Sequence, residues 1–219
     1  MLFWYLMKMI FSVNIIHRHF PFFPKRPARS RYAAANRSQG GSMARNIEIK
    51  ARIESVAAVA RAVAALATAG PTVLTQDDTF FHCPTGRLKL RQLSPNEGQL
   101  IFYQRPDVAG PKTSHYDITP TDVPAALRRT LGLALGECGR VRKARILYLC
   151  GRTRVHLDRV AGLGDFLELE VVLDETEDET AGLAKAHQLM AALGIGPQNL
   201  VTGAYVDLLA AAGQDGRPL

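Results

Sequence analysis

Charged residues recur two apart along this chain, and those same-face pairs are what the sequence offers to chemistry. Glu48 and Lys50 form one pair, Lys89 and Arg91 a second, Lys143 and Arg145 a third, and Glu168 and Glu170 a fourth; Asp158 follows His156 and Arg154 at the same interval. On an extended strand successive side chains alternate between faces, so residues two apart point the same way. Clustered Lys and Arg supply the point-charge and fork donors that suit phosphate oxygens. Carboxylates beside them, too many to be satisfied once the bases hold phosphate, suit a hard divalent cation bound through oxygen. The pattern predicts a site for a polyphosphate and its metal. The rival reading is a solvated face of ion pairs, ordinary for an antiparallel sheet.

The elements that must position these residues are mostly strands. Residues 46–53 (NIEIKARI) alternate Ile47, Ile49, Ala51 and Ile53 with polar residues, the period-2 pattern of a half-buried strand. Further strand patterns are expected over 74–82, 87–93, 100–105, 112–119, 137–149, 153–160 and 166–173, with turn chemistry at Cys83-Pro84-Thr85-Gly86 and Ser94-Pro95-Asn96-Glu97-Gly98 suited to hairpins. Helices are expected over 54–69, from a Thr121-Asp122 cap to about Leu131, and over 177–193. About eight strands with few helices between them predict an α+β protein, mainly β: an antiparallel sheet closed into a barrel, with helices packed outside. If the helices cover the apolar alternates, such as Leu88, Leu90, Leu167 and Leu169, the charged faces line the lumen. A lumen crowded with both signs costs too much desolvation to be kept for stability alone, so a matching ligand is implied.

At the motif level, Asn46-Ile47-Glu48-Ile49-Lys50 resembles the E-x-E-x-K first strand of the CYTH domain, the triphosphate tunnel metalloenzymes. Residues 76–81 followed by Gly86-Arg87-Leu88-Lys89-Leu90-Arg91 resemble the second and third strands of the branch related to class IV adenylyl cyclases. His156-Leu157-Asp158-Arg159-Val160, residues 163–170 and residues 204–209 resemble its carboxyl-terminal strands and closing segment, so the likeness extends over nearly all of 45–210. The resemblance implies an eight-stranded antiparallel tunnel. Glu48 and Lys50 would be its catalytic residues; Lys50, Lys89, Arg91, Arg105, Lys112, Lys143 and Arg145 would bind the substrate; Glu48, Asp158, Glu168 and Glu170 would hold Mg2+ or Mn2+. The implied reaction is cyclisation of ATP to cyclic AMP and pyrophosphate. Its alternatives are hydrolysis of an inorganic or organic triphosphate, or non-catalytic binding of a polyphosphate or nucleotide.

Two positions depart from the family pattern. Asn46 stands where the first acid of E-x-E-x-K is expected, which predicts one tightly held metal rather than two. Gln104 stands where a tunnel lysine often follows tyrosine, a charge that Arg105 or Lys112 restores if the strand carries a bulge.

Charge and composition bound the rest. The 219-residue chain, 47% hydrophobic, is long enough to bury a core, and its net charge of +7 invites a nucleic-acid partner. However, residues 1–42 hold seven Lys/Arg and no acid, leaving 20 bases against 20 acids in the remainder. A basic field therefore belongs to the leader alone, and neither nucleic acid nor membrane is an expected partner: Lys8 interrupts the apolar run from Met1 to Ile16. The expected organisation is a disordered or upstream-translated leader over 1–42, a catalytic domain over 43–212 and a short tail over 213–219. Cys83, Cys138 and Cys150 are spaced without any C-x-x-C pair and read as packing residues in a reduced, cytoplasmic protein. His82, His115 and His187 are scattered and carry no expected role. The expected partner is a triphosphate, ATP or inorganic, with a homodimer left open.

Overall fold

A computed structural model describes residues 43–213; the expectations for the leader over 1–42 and for the tail beyond Gly213 lie outside the described residues. Eight strands, β1 (Ala44–Arg52), β2 (Ala69–Phe81), β3 (Arg87–Ser94), β4 (Glu97–Gln104), β5 (Lys112–Thr121), β6 (Glu137–Cys150), β7 (Thr153–Val160) and β8 (Gly164–Leu173), pair antiparallel in the closed order β1-β5-β4-β3-β2-β6-β7-β8. Four helices accompany them: α1 (Val56–Leu66), α2 (Pro124–Leu135), α3 (Glu179–Ala192) and α4 (Tyr205–Ala211). The closed eight-stranded barrel expected from the strand count is present. All three cysteines are free.

Period-2 alternation divides each strand between two environments. The outward apolar residues Ile49, Ala51, Val155, Leu157, Leu167 and Leu169 pack with Val63 of α1 and Leu189 and Met190 of α3, while Ile47, Val171 and Leu173 meet Ala186 of α3. Burying each Leu or Ile contributes roughly 1.5–3 kcal/mol, which is what fixes the polar alternates inside. The cover sits outside, so the charges sit in the lumen.

Several boundaries differ from the sequence expectations for local reasons. Helix α1 opens on Ser55, whose hydroxyl accepts from the Ala58 N–H, and stops at Leu66 rather than near residue 69. Past it, the Thr68 N–H donates to the Leu149 carbonyl at 2.7 Å and residues 69–73 already pair with the long strand β6. These residues are exposed, so β2 starts with no apolar alternation to betray it. The expected Thr121-Asp122 cap is not used: β5 runs through Thr121, whose hydroxyl accepts from the Val123 N–H, and α2 begins on Pro124 at its first position. That helix passes Gly132 and ends at Gly136, whose φ of +74° suits glycine. Residues 205–211 form a seven-residue helix too short to show periodicity, opened by the Ala204 N–H donating to the Asp207 carboxylate at 2.7 Å.

Candidate functional site

Cross-strand register brings the sequence-predicted residues together in one lumen. Glu48 on β1 lies opposite Lys112 on β5 and Glu170 on β8; Lys50 lies opposite Glu168; Arg145 on β6 lies opposite Asp158 on β7. On the other wall Lys89 and Arg91 of β3 face inward beside Asp78 of β2. Lys50, Arg91, Lys112, Lys143, Arg145, Asp158 and Glu168 are all buried. Arg105 joins them by plain alternation after Tyr103: β4 and β5 pair without interruption from Gly98 to Gln104, so no bulge is needed, and Gln104 itself is exposed.

The charges interlock. Asp158 is held by Arg145 through two contacts of 2.6 Å, by Lys143 at 2.8 Å and by the Tyr205 hydroxyl at 3.1 Å. Arg145 also donates to Glu168 at 2.5 Å, and Lys50 lies 3.5 Å from the other oxygen of Glu168. Arg91 grips Asp78 in a fork with both contacts at 2.8 Å, with Lys89 at 3.1 Å. Arg154 binds Glu170 at 2.7 Å, and Arg105 lies 3.7 Å from Glu48. Eight bases (Lys50, Lys89, Arg91, Arg105, Lys112, Lys143, Arg145, Arg154) thus face five acids (Glu48, Asp78, Asp158, Glu168, Glu170), an excess of positive charge suited to a polyanion. Arg105 donates to the Gly203 carbonyl at 3.0 Å while its Nε and Nη1 have no hydrogen-bond partner.

Burial and charge set the ionisation. Burial alone would raise the carboxyl of Asp78, but Arg91 and Lys89 outweigh it and hold it far below the usual range. Likewise Asp158 is kept low against burial by Arg145 and Lys143, and Glu168 chiefly by Lys143. Glu170 is pulled down to about 2, mainly by Arg154 working against burial. Among the bases, burial pushes Lys89 down to about 8 and also lowers Lys50 and Lys112.

The donor set fits a divalent cation at one place. Glu48 and Glu170 are directly opposed across β1 and β8; like charges so placed repel, a repulsion that Arg154 on Glu170 and Arg105 beside Glu48 reduce and that a divalent cation would relieve further. His156, fully buried on β7, has neither ring nitrogen hydrogen-bonded and lies 3.7 Å from both Glu168 and Glu170. An imidazole with unpartnered nitrogens beside two ionised carboxylates is a donor set that suits a divalent cation. Asp158 is the acid most fully engaged by protein donors.

Sequence reasoning passed over three participants. Asp78 was hidden by the doublet Asp77-Asp78: parity sends one inward, and only the pairing with Arg91 tells which, Asp77 going outward to Arg140 at 2.7 and 2.5 Å. Arg154 shared the face of Asp158 but gave no sign of its partner Glu170. Tyr205 comes from α4, yet its ring enters the lumen, 4.0 Å from the Lys50 ammonium and edge-on to Phe166 at 5.0 Å between centroids. Phe80, Ile101, Tyr103, Val141 and Val160 complete the apolar seal between that helix and the barrel interior.

Comparison with known proteins agrees with this geometry. Adenylate cyclase CyaB of Aeromonas hydrophila is 28% identical over 170 residues, spanning 73% of this chain and 85% of its own. Among solved structures, a protein of Pyrococcus horikoshii OT3 matches with a TM-score of 0.65 at 22% identity, covering 74% of this chain and 98% of that one. A conserved hypothetical protein from Pyrococcus furiosus matches with a TM-score of 0.61 at 19% identity, covering 74% and 99%. These two likenesses concern the fold. The CYTH domain matches residues 44–205, which hold all eight strands of the barrel and reach the first residue of α4, and the chain belongs to the CYTH domain family.

Proposed function

We propose that this protein is a metal-dependent enzyme acting on a triphosphate, with ATP cyclised to cyclic AMP and pyrophosphate. The observation that supports it is the lumen itself: eight inward bases, more than the five acids beside them can neutralise, in a closed barrel. The similarity to CyaB over 85% of that enzyme favours cyclisation over hydrolysis.

In this reading the ion pairs are placeholders. Lys143 and Arg145 leave Asp158 and Glu168 for phosphate oxygens, and Lys89 and Arg91 turn from Asp78, joined by Lys112 and the free edge of Arg105. Asp158 and Glu168, so released, together with Glu48 and with Glu170, which Arg154 still binds, would then hold Mg2+ or Mn2+, which when bound supplies charge neutralisation to the phosphate oxygens. Cation and triphosphate therefore bind cooperatively, each raising the affinity of the other by the same factor. The ribose 3′ oxygen attacks the α-phosphorus, the bond to the bridging oxygen breaks and pyrophosphate leaves. The 3′ proton passes to solvent; Lys50, 3.5 Å from Glu168, would stabilise as an ammonium the charge that builds on the phosphate oxygens, and Glu48, 3.7 Å from Arg105, would orient the cation side. Asn46, buried with its side-chain oxygen unpartnered, leaves the centre one carboxylate short of a second tightly held ion.

The test is product analysis with ATP and with inorganic triphosphate, each with Mg2+ and with Mn2+. Cyclic AMP and pyrophosphate are expected. Phosphate released from either substrate would assign a hydrolase instead, and triphosphate binding without turnover a binding module. No binding of either compound overturns the reading.

A further inference from the structure

We propose that His156 donates a ring nitrogen to the cation held by Glu168 and Glu170, and that this nitrogen makes the centre prefer a first-row transition ion such as Mn2+ over Mg2+. The inference rests on the triphosphate and metal reading above and adds to it the identity of one donor and its consequence for selectivity.

Three observations carry it. First, β7 and β8 set His156 directly opposite Glu168, with Glu170 opposite Arg154 on the same face. The three ligand atoms lie within 4.8 Å of one another, and Nδ1 of His156 is 3.7 Å from an oxygen of each glutamate. Ligands held about 2.1 Å from an octahedral cation sit roughly 3 to 4.2 Å apart, a range that includes both 3.7 Å contacts of Nδ1. Second, His156 is wholly buried and neither nitrogen is hydrogen-bonded. A structural histidine that deep normally bonds through at least one nitrogen. Third, on Glu170 the oxygen 3.7 Å from the imidazole is Oε1, whereas Arg154 binds Oε2 at 2.7 Å; on Glu168 the oxygen nearest the imidazole is the one Arg145 holds, which the proposed function releases. Imidazole suits transition ions, whereas Mg2+ keeps to carboxylate, carbonyl and water oxygens. A centre meant for Mg2+ alone would gain nothing from this side chain.

The experiment is pulsed electron paramagnetic resonance on the full chain loaded with Mn2+ in the presence of inorganic triphosphate. It uses protein grown on ordinary histidine and on histidine carrying the heavy nitrogen isotope. The expected result is a nitrogen modulation on Mn2+ that changes with the isotope and is lost in His156→Gln and His156→Asn. Titration calorimetry should show Mn2+ affinity falling by about tenfold or more in those variants with Mg2+ affinity nearly unchanged. Mn2+ bound without nitrogen coupling overturns the His156 assignment even where the variants fail to fold, since the labelled natural chain suffices, and does not touch the triphosphate reading. Failure of both Mn2+ and triphosphate to bind overturns that reading as well.

Discussion

Arg145 bridges two buried acids, Asp158 and Glu168, at 2.5–2.6 Å. Replacing it with methionine leaves those carboxylates short of a cation in a low-dielectric setting, so Arg145→Met should cost about 3–5 kcal/mol, read from urea denaturation, and weaken triphosphate binding. Lys89 is informative in a different way. Its pKa is depressed to about 8 from 10.5 because burial outweighs the attraction of Asp78. Between those values the unfolded chain binds the proton and the folded chain does not, so this residue makes stability rise with pH across that window. Ligand affinity follows the opposite course, since the neutral amine loses its hold on phosphate. Calorimetry should therefore show triphosphate affinity falling above about pH 8 in the natural protein and holding to higher pH in Lys89→Arg, with the ligand's own titration common to both.

Two elements carry predictions of their own. Strand β1 places Asn46, Glu48 and Lys50 on one lumen-facing row, with Asn46 opposite Ser114 and Val172. Its amide can touch a cation through oxygen but cannot offset charge. Asn46→Glu should thus tighten Mn2+ binding, measured calorimetrically with a non-hydrolysable triphosphate, whereas two equivalent tight sites in the natural protein would show that no acid is missing. Helix α4 reaches the lumen through Tyr205, whose hydroxyl donates to Asp158 and whose ring lies against Lys50, Lys143 and Phe166. Tyr205→Phe removes a hydrogen bond to a buried charged acceptor and should cost about 1.5–3 kcal/mol, again from urea denaturation. The ring keeps its packing in that variant, so a much larger loss would mean that the hydroxyl organises the whole pair of Asp158 and Arg145.

At the scale of the molecule, a closed barrel has no free edge to template aggregation, and outer helices and an inner lumen divide each strand's two faces cleanly. Among the described residues the strand pairings begin at Ala44, and the CYTH domain match likewise begins at residue 44. A chain starting at Met43 should therefore melt as one transition at the temperature of the full chain and bind triphosphate equally; loss of folding would show that the leader packs on the barrel. Period-2 alternation by itself determined the strands, the apolar outer rows and the pairs Glu48 and Lys50, Lys89 and Arg91, Lys143 and Arg145, and Glu168 and Glu170, because parity is a local property of an extended chain. It could not decide which of Asp77 and Asp78 turns inward, that exposed residues 69–73 extend β2, or that Arg105 needs no bulge, because each depends on the register of a neighbouring strand. Nor could it bring Tyr205 to Asp158 or leave His156 unbonded between two glutamates. Those contacts join segments 47 and 12 to 14 residues apart, and only closure of the barrel, which removes water from the lumen, decides which charges must find each other.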